Sequence, residues 1–361
     1  MQTDLFDFTF DDALIATKPL DNRDDARLML VDNNRLEHQH IHNLIDHFNS
    51  GDVLVLNNTK VIKARLEGVI TTIGRDINRS HKCQITLHKL THQASNVIHY
   101  SCFAKGSKKL DINDTLEFTA SDQTILTATI LKKDEAGQVH IAFDTDLNHF
   151  FAFLDKAGTM PLPPYIEKYR KADQSDDENY QTVFAKHLGS VAAPTASLHL
   201  TQATFDALKA KNIHIAYVTL HVGGGTFLPV KSDDLESHIM HSEIIHIDAD
   251  NADIINQAKQ NYGRIICVGT TALRVIESVA DDAGIVHPFT GETDIFIYPS
   301  YRFKAVDVLM TNFHLPKSTL FMLVCAFAGT DIMKQAYDAA QKMQYRFFSY
   351  GDACLLHRGS F

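Results

Sequence analysis

The chain has 361 residues, with 34 Lys+Arg against 44 Asp+Glu and a formal charge of −10 near neutral pH. Hydrophobic residues make up 45% and charged residues 22%, which argues against disorder or a solvating tail and, at this length, for about two domains with a large core. The acidic balance argues against a protein that coats nucleic acid through general charge, though it leaves RNA open as a partner.

Met1 to Asp12 is acidic and lacks a basic stretch followed by an apolar one, so no secretory leader is read there. The longest apolar run, Leu320 to Ala328, is nine residues, too short to span a bilayer; a cytoplasmic protein is expected. The five cysteines, Cys83, Cys102, Cys267, Cys325 and Cys354, are odd in number and lie in apolar stretches without a Cys-x-x-Cys, so they read as reduced core residues.

Residues 1–64 read as the first part of a main domain. Residues 65–155 change texture. Short alternating runs, Gln84 to Leu90, Thr124 to Leu131 and Gln138 to Phe143, predict a small all-β, barrel-like insertion. Residues 156–361 then resume the main domain. Lys171 to Asn179 is polar and acidic and reads as a mobile loop. A helix is predicted over Gln202 to Lys211 with Thr201 as its N-cap, followed by a strand over Ile213 to Val222. Asp253 to Asn261 reads as a helix with Gly263 past its end, and Arg264 to Val268 as a short buried strand. Further strands are predicted at Phe296 to Tyr298 and Val306 to Thr311, and helices at Pro316 to Ala328 and Asp331 to Gln344. The fold class is an α/β main domain, a mixed sheet or barrel, interrupted by the β insertion. The last 66 residues carry seven Lys+Arg against four Asp+Glu, a net +3 that hints at an anion-facing surface.

Several short motifs sit where strands end. Gly223-Gly224-Gly225-Thr226 allows either close backbone approach to a ligand or a tight turn, and it completes no dinucleotide or phosphate-loop fingerprint. Gly269-Thr270-Thr271 opens a helix, offering free amides and two hydroxyls either to an anionic group or to simple capping, with Arg274 one turn on. His238, His241, Glu243 and His246 lack the spacing of a familiar metal site, so no metal is expected; Glu243 is better suited to general-base work or to accepting a ligand hydroxyl. Asn312 to Thr319 gathers polar residues at a strand's C-terminal end, as α/β ligand sites do, with Pro316 suited to a first helical turn. Tyr345 to Asp352 interleaves aromatics with a cation and a carboxylate, which fits either base stacking or a C-terminal strand on the core.

Taken in order, Asn57–Arg65, Gly158–Ile166, Tyr180–Ala185, Val191–Thr201, His221–Val230, His241–Glu243, Val268–Glu277, Thr311–Thr319 and Tyr345–Ala353 resemble the S-adenosylmethionine:tRNA ribosyltransferase-isomerase family of queuosine biosynthesis. The likeness runs through the whole main domain and little of it lies in the β insertion. There are departures. Lys60 stands for the family's Arg, Ser197 and Leu200 for Gly and Phe, Gly224 for Ala, Leu228 for Gln and Ser300 for Gly, and no Leu-Pro precedes Asp12.

The resemblance implies a transferase that takes S-adenosylmethionine as co-substrate, without a metal. It would move the ribosyl moiety to 7-aminomethyl-7-deazaguanine at the wobble position of a tRNA with a GUN anticodon, giving epoxyqueuosine, adenine and methionine. A monomer and no membrane association are implied with it. By motif position, Glu243 or His241 is expected as the base and His199 or His314 as the acid that helps adenine leave. Thr195, Gly224, Gly225, Thr226, Thr270, Thr271 and Arg274 are expected around S-adenosylmethionine. Asn312, Tyr350 and Asp352 are expected to position the deazaguanine, with Arg346, Lys317, Arg302 and Lys60 near phosphates. The competing readings are a non-catalytic RNA-binding protein, a metal-dependent hydrolase using His238 to His246, and an ordinary methyltransferase, against which the missing Gly-rich loop counts.

Overall fold

The computed structural model describes the chain except residues 33–34, 72–80, 135–136, 225–233, 236–237, 239 and 360–361. The elements among the described residues run in this order. β1 (Arg27–Asp32), β2 (Arg35–His40), β3 (Val53–Asn57) and β4 (Thr59–Val61) precede six strands, β5 (Arg65–Thr71), β6 (His81–Gln93), β7 (Ile98–Lys105), β8 (Thr115–Thr119), β9 (Ile125–Lys133) and β10 (Gln138–Phe143). Next come α1 (Leu147–Ala157), α2 (Pro164–Glu167), α3 (Asp176–Asn179), β11 (His187–Ser190), α4 (Gln202–Ala210), β12 (His214–His221), β13 (Glu243–Ile247), α5 (Ala249–Gln260), β14 (Ile265–Val268) and α6 (Thr270–Val279). The chain closes with β15 (Phe289–Thr293), β16 (Val308–Asn312), α7 (Thr319–Ala328), α8 (Thr330–Lys342) and β17 (Ala353–His357).

A nine-stranded mixed sheet, in the order β15-β13-β12-β3-β14-β16-β17-β1-β2, forms the main body. Its centre, β12, β3, β14 and β16, is parallel, and central parallel strands are buried on both faces. Alternation makes this visible. Val53 and Val55 of β3 enter the core against α5 and α6, whereas Leu54 and Leu56 enter a second core on the opposite face. The same division separates Ile265 and Cys267 from Ile266 and Val268 in β14. Because the four central strands point one way, their C-terminal ends share one edge, where Asn57, Val222, Gly269 and Asn312 emerge.

The six strands β5 to β10 close into an antiparallel barrel, as the alternating pattern of the insertion requires. Tyr100, Phe118, Phe143 and Phe150 fill it, the last supplied by α1, whose N-cap Asp146 accepts from the amides of Asn148 and His149. Gly68 in β5 is obligatory in this packing: a Cβ there would lie 2.6 Å from the Phe118 ring. The chain enters and leaves the barrel side by side, with Arg65 and Thr159 exchanging both backbone hydrogen bonds, 3.3 and 2.9 Å.

Three local readings are corrected. Phe296 to Tyr298 joins no strand; the two rings pack on each other with centroids 5.0 Å apart. Helix α7 starts at Thr319 with Ser318 as N-cap, and Pro316 sits in the turn before it, where Lys317 takes φ 53°. The segment Lys171 to Asn179 is anchored, because Arg170 holds the fully buried Asp176 through both guanidinium nitrogens at 2.7 and 2.6 Å. All five cysteines are buried and unbridged. No helix among the described residues is long and apolar enough to cross a membrane.

Candidate active site

The shared edge of the parallel strands opens into a cleft whose empty space, with the open mouth counted in, is about 890 Å³. The turn at Thr195 forms one wall, Gly269 to Arg274 another, and Asn312 to His314 the floor, while Glu243 enters from the start of β13 and Tyr165, Phe348 and Ser349 add to the lining.

Glu243 and Arg274 are an ion pair in which both side chains are almost wholly buried. The second carboxylate oxygen of Glu243 accepts the Gly223 amide at 3.2 Å. A buried pair of this kind survives only when its geometry and added hydrogen bonds compensate desolvation, and here β13, α6 and the glycine turn all contribute. The Nε and Nη2 atoms of Arg274 and the Oγ1 of Thr271 are buried and find no hydrogen-bond partner among the described residues.

Asn312 organises the floor. Its Oδ1 accepts from the Thr195 hydroxyl at 2.8 Å, and its amide donates to His199 Nε2 at 3.4 Å and to the Asp352 carbonyl at 3.4 Å. His199 in turn donates from Nδ1 to the Arg23 carbonyl at 3.3 Å, a pattern that fixes the neutral tautomer, and burial lowers its pKa. His199 thus lies behind Asn312 and lines a separate small cavity with Arg23, Arg346, Ser349 and Tyr350. His314 does face the cleft. Its Nε2 is hydrogen-bonded to the Thr311 hydroxyl at 3.0 Å, and burial pushes its pKa down to about 3, so at neutral pH it acts as imidazole and not as imidazolium.

The structure therefore gathers Glu243, His314, Thr195, Thr270, Thr271, Arg274 and Asn312 in one cleft. His241 is exposed and packs edge-on against His88 of β6, 5.4 Å between centroids. Gly224 lies 3.6 Å from the Phe103 ring, measured from the position of a Cβ; Gly225 and Thr226, with Leu228, lie outside the described residues. Tyr350 is buried and its hydroxyl donates to Asp176 at 3.3 Å. Asp352 is buried with its carboxylate on Arg27 and on the Arg346 amide. The Arg346 guanidinium is half-buried and bonded to the Lys18 carbonyl, Lys317 is paired with Asp4 and Asp7, and Arg302 and Lys60 are exposed. His238, His241, Glu243 and His246 take separate partners, in Phe296, His88, Arg274 and Thr290.

Tyr165, Phe348 and Ser349 lie inside motifs the sequence marks, Gly158–Ile166 and Tyr345–Asp352, but are not among the residues expected at the site. The hydroxyls of Tyr165 and Ser349 are hydrogen-bonded, burial pushes the Tyr165 phenol up to about 12, and the Tyr165 and Phe348 rings lie 4.8 Å apart. Phe348 adopts φ 69°, a costly conformation for a bulky residue and one that marks functional turns. The barrel packs behind the site: a Cβ at Gly223, whose amide holds Glu243, would lie 2.6 Å from the His88 ring, and Lys89 pairs with Glu292 of β15 at 2.7 Å.

Buried neutral histidines make stability depend on pH. Burial lowers His88 and His221 to about 4 and His314 to about 3, from an ordinary 6.5. In the unfolded chain they take up protons near 6.5, and in the folded one only near 4 and below, so falling pH favours unfolding across that interval. The melting temperature should be level above pH 7 and drop steadily from pH 6.5 to 4.5. A level profile down to pH 4.5 would contradict the buried neutral state.

The chain matches the family model described as queuosine biosynthesis protein over residues 3–356. It is 46% identical over 365 residues to the S-adenosylmethionine:tRNA ribosyltransferase-isomerase of Rhizobium rhizogenes, with 99% of each chain covered. It is 47% identical over 359 residues to the enzyme of the same name from Phenylobacterium zucineum, with 98% of each covered. The crystal structure of S-adenosylmethionine tRNA ribosyltransferase from Thermotoga maritima is similar at a TM-score of 0.53 and 30% identity, covering 97% of this chain and 99% of that one.

Proposed function

The chain belongs to the queuosine biosynthesis protein family, as a transferase of the ribosyltransferase-isomerase type, and from that premise we propose its substrates and the work of its cleft. S-adenosylmethionine binds in the cleft, and its ribosyl moiety is transferred to 7-aminomethyl-7-deazaguanine at the wobble position of a GUN-anticodon tRNA, yielding epoxyqueuosine, adenine and methionine. The protein acts as a cytoplasmic monomer, without a metal. The observation that carries this reading is the buried Glu243–Arg274 pair facing Thr195, Asn312 and His314 across one cleft.

The sulfonium of S-adenosylmethionine acidifies the neighbouring C5′ hydrogens, so the reaction needs a base close to that carbon. Glu243 is the carboxylate among the described lining residues, and Arg274 together with the Gly223 amide fixes where its oxygens point. His314 serves the departing adenine as a neutral imidazole or through the Thr311 hydroxyl, not as a charged acid. His199 acts indirectly, by setting Asn312. Holding two large substrates in register supplies much of the rate enhancement. The aromatic wall of Tyr165 and Phe348 offers stacking surface for a base drawn out of the anticodon loop. Residues 65–155 form an insertion between 1–64 and 156–361, and its His88 and Phe103 back the Gly223–Gly224 turn whose amide holds Glu243. Exposed Lys60 and Arg302 are placed for tRNA phosphates.

Incubation with S-adenosylmethionine and a tRNA bearing the aminomethyl base should release adenine and methionine together with a heavier nucleoside. Methyl transfer to the RNA instead, or neither release, overturns the reading.

A further inference from the structure

We propose that the N-terminus of α6, with Thr271 and Arg274, is the subsite for the α-carboxylate on the methionyl arm of S-adenosylmethionine; this rests on the co-substrate reading above. Helix α6 begins after Gly269, at φ 92°, with no side chain among the described residues capping it. The amides of Thr270, Thr271 and Ala272 come too early in the helix for an intrahelical partner, and the helix dipole concentrates positive potential there. Thr270, Thr271 and Arg274 all line the cleft, as residues one turn apart on one helix face do.

The second observation is Arg274 itself. Its side chain is 6% exposed, and among the described residues only its Nη1 is engaged, by Glu243. Nε and Nη2 are buried without a partner among the described residues, as is the Thr271 hydroxyl. Those two nitrogens form the edge of the guanidinium whose spacing matches the two oxygens of a carboxylate. Buried donors left unpaired are costly, so the site is unfinished until an acceptor arrives. The charge selects which one. Arg274 is the only Lys or Arg among the described lining residues, and Glu243 already offsets part of its charge. A monoanion such as a carboxylate fits this balance, whereas a phosphate dianion would be left under-compensated. Such an anchor fixes the direction of the co-substrate in the cleft and separates it from nucleosides lacking the amino-acid arm. It also makes the product methionine a ligand of the same subsite.

The test is calorimetric titration of the full chain with S-adenosylmethionine and with its decarboxylated form, S-adenosyl-3-methylthiopropylamine. The unsubstituted protein should bind the carboxylate form roughly ten- to a hundredfold more tightly. Arg274→Lys keeps a cation beside Glu243 but loses the fork, and Thr271→Val keeps the shape but loses the hydroxyl. Each should bring the ratio towards one while changing affinity for the decarboxylated form by less than about threefold. Equal binding of both forms by the unsubstituted protein, or equal loss of both in Thr271→Val, overturns the carboxylate assignment while leaving the co-substrate reading intact. Binding of neither form overturns the co-substrate reading, and the subsite with it.

Discussion

Replacing Glu243 by glutamine is expected to lower turnover at saturating S-adenosylmethionine by about 10²–10⁴-fold while tRNA continues to bind. Glutamine is nearly isosteric, so an oxygen can still accept the Gly223 amide that now lies 3.2 Å away. What it removes is proton affinity and the charge that faces Arg274. If Glu243 takes the C5′ proton, the loss falls on kcat, and a step before release of adenine becomes limiting. If Glu243 only holds Arg274 in place, the guanidinium shifts, KM for S-adenosylmethionine rises, and kcat largely survives. The split between the two constants therefore decides between base and positioning residue. A tRNA gel shift checks that the fold and the RNA face are intact, and near-normal kcat in the variant would remove Glu243 from the chemistry.

How much of this site was legible before folding depends on how far apart its parts lie in the chain. Gly269-Thr270-Thr271 was readable as a helix start because strand, glycine and hydroxyls are consecutive, and α6 begins at Thr270. Thr201 as the N-cap of α4, ending at Ala210, was readable for the same reason. Helix α5 starts four residues earlier than its apolar period suggests, since Asp248 caps it through the Asn251 amide at 2.8 Å; the capping residue, not the period, sets the boundary. The barrel was visible in its alternation. The role of β17 was not: Ala353 to His357 lies between β1 and β16, parallel to one and antiparallel to the other, and no local pattern announces such a pairing. This placement explains why Asp352 and Tyr350, read as base-positioning residues, are buried on Arg27 and Asp176. Likewise His199 and Asn312 are 113 residues apart, and sequence alone could name both histidines, His199 and His314, without showing that only one faces the cleft.

The largest loss of stability from one side chain is expected at Glu277, on the turn of α6 that follows Arg274. Its carboxylate is fully buried and pairs with no cation among the described residues; instead it accepts the backbone amides of Lys304, Ala305 and Val306 at 2.8, 3.1 and 3.0 Å, and the Tyr301 hydroxyl at 3.3 Å. Amides converging on a carboxylate are charge-assisted bonds, each contributing about 1.5–3 kcal/mol. Glu277→Ala would leave three amides without acceptors beside a new cavity, those of Ala305 and Val306 fully buried, and a cost of about 3–5 kcal/mol is expected. Glu277→Gln should cost less but still much, because its NH₂ group would face donors where an oxygen now accepts. Urea denaturation of the two variants beside the unsubstituted chain measures this, and a midpoint unchanged in Glu277→Ala would show that the carboxylate is dispensable. The consequence reaches the cleft. The loop that Glu277 holds leads directly into β16 and so to Asn312, while α6 carries Thr270, Thr271 and Arg274. The carboxylate thus sets the two walls of the site against each other, and Glu277→Gln, even where it remains folded, should bind S-adenosylmethionine more weakly than the unsubstituted protein.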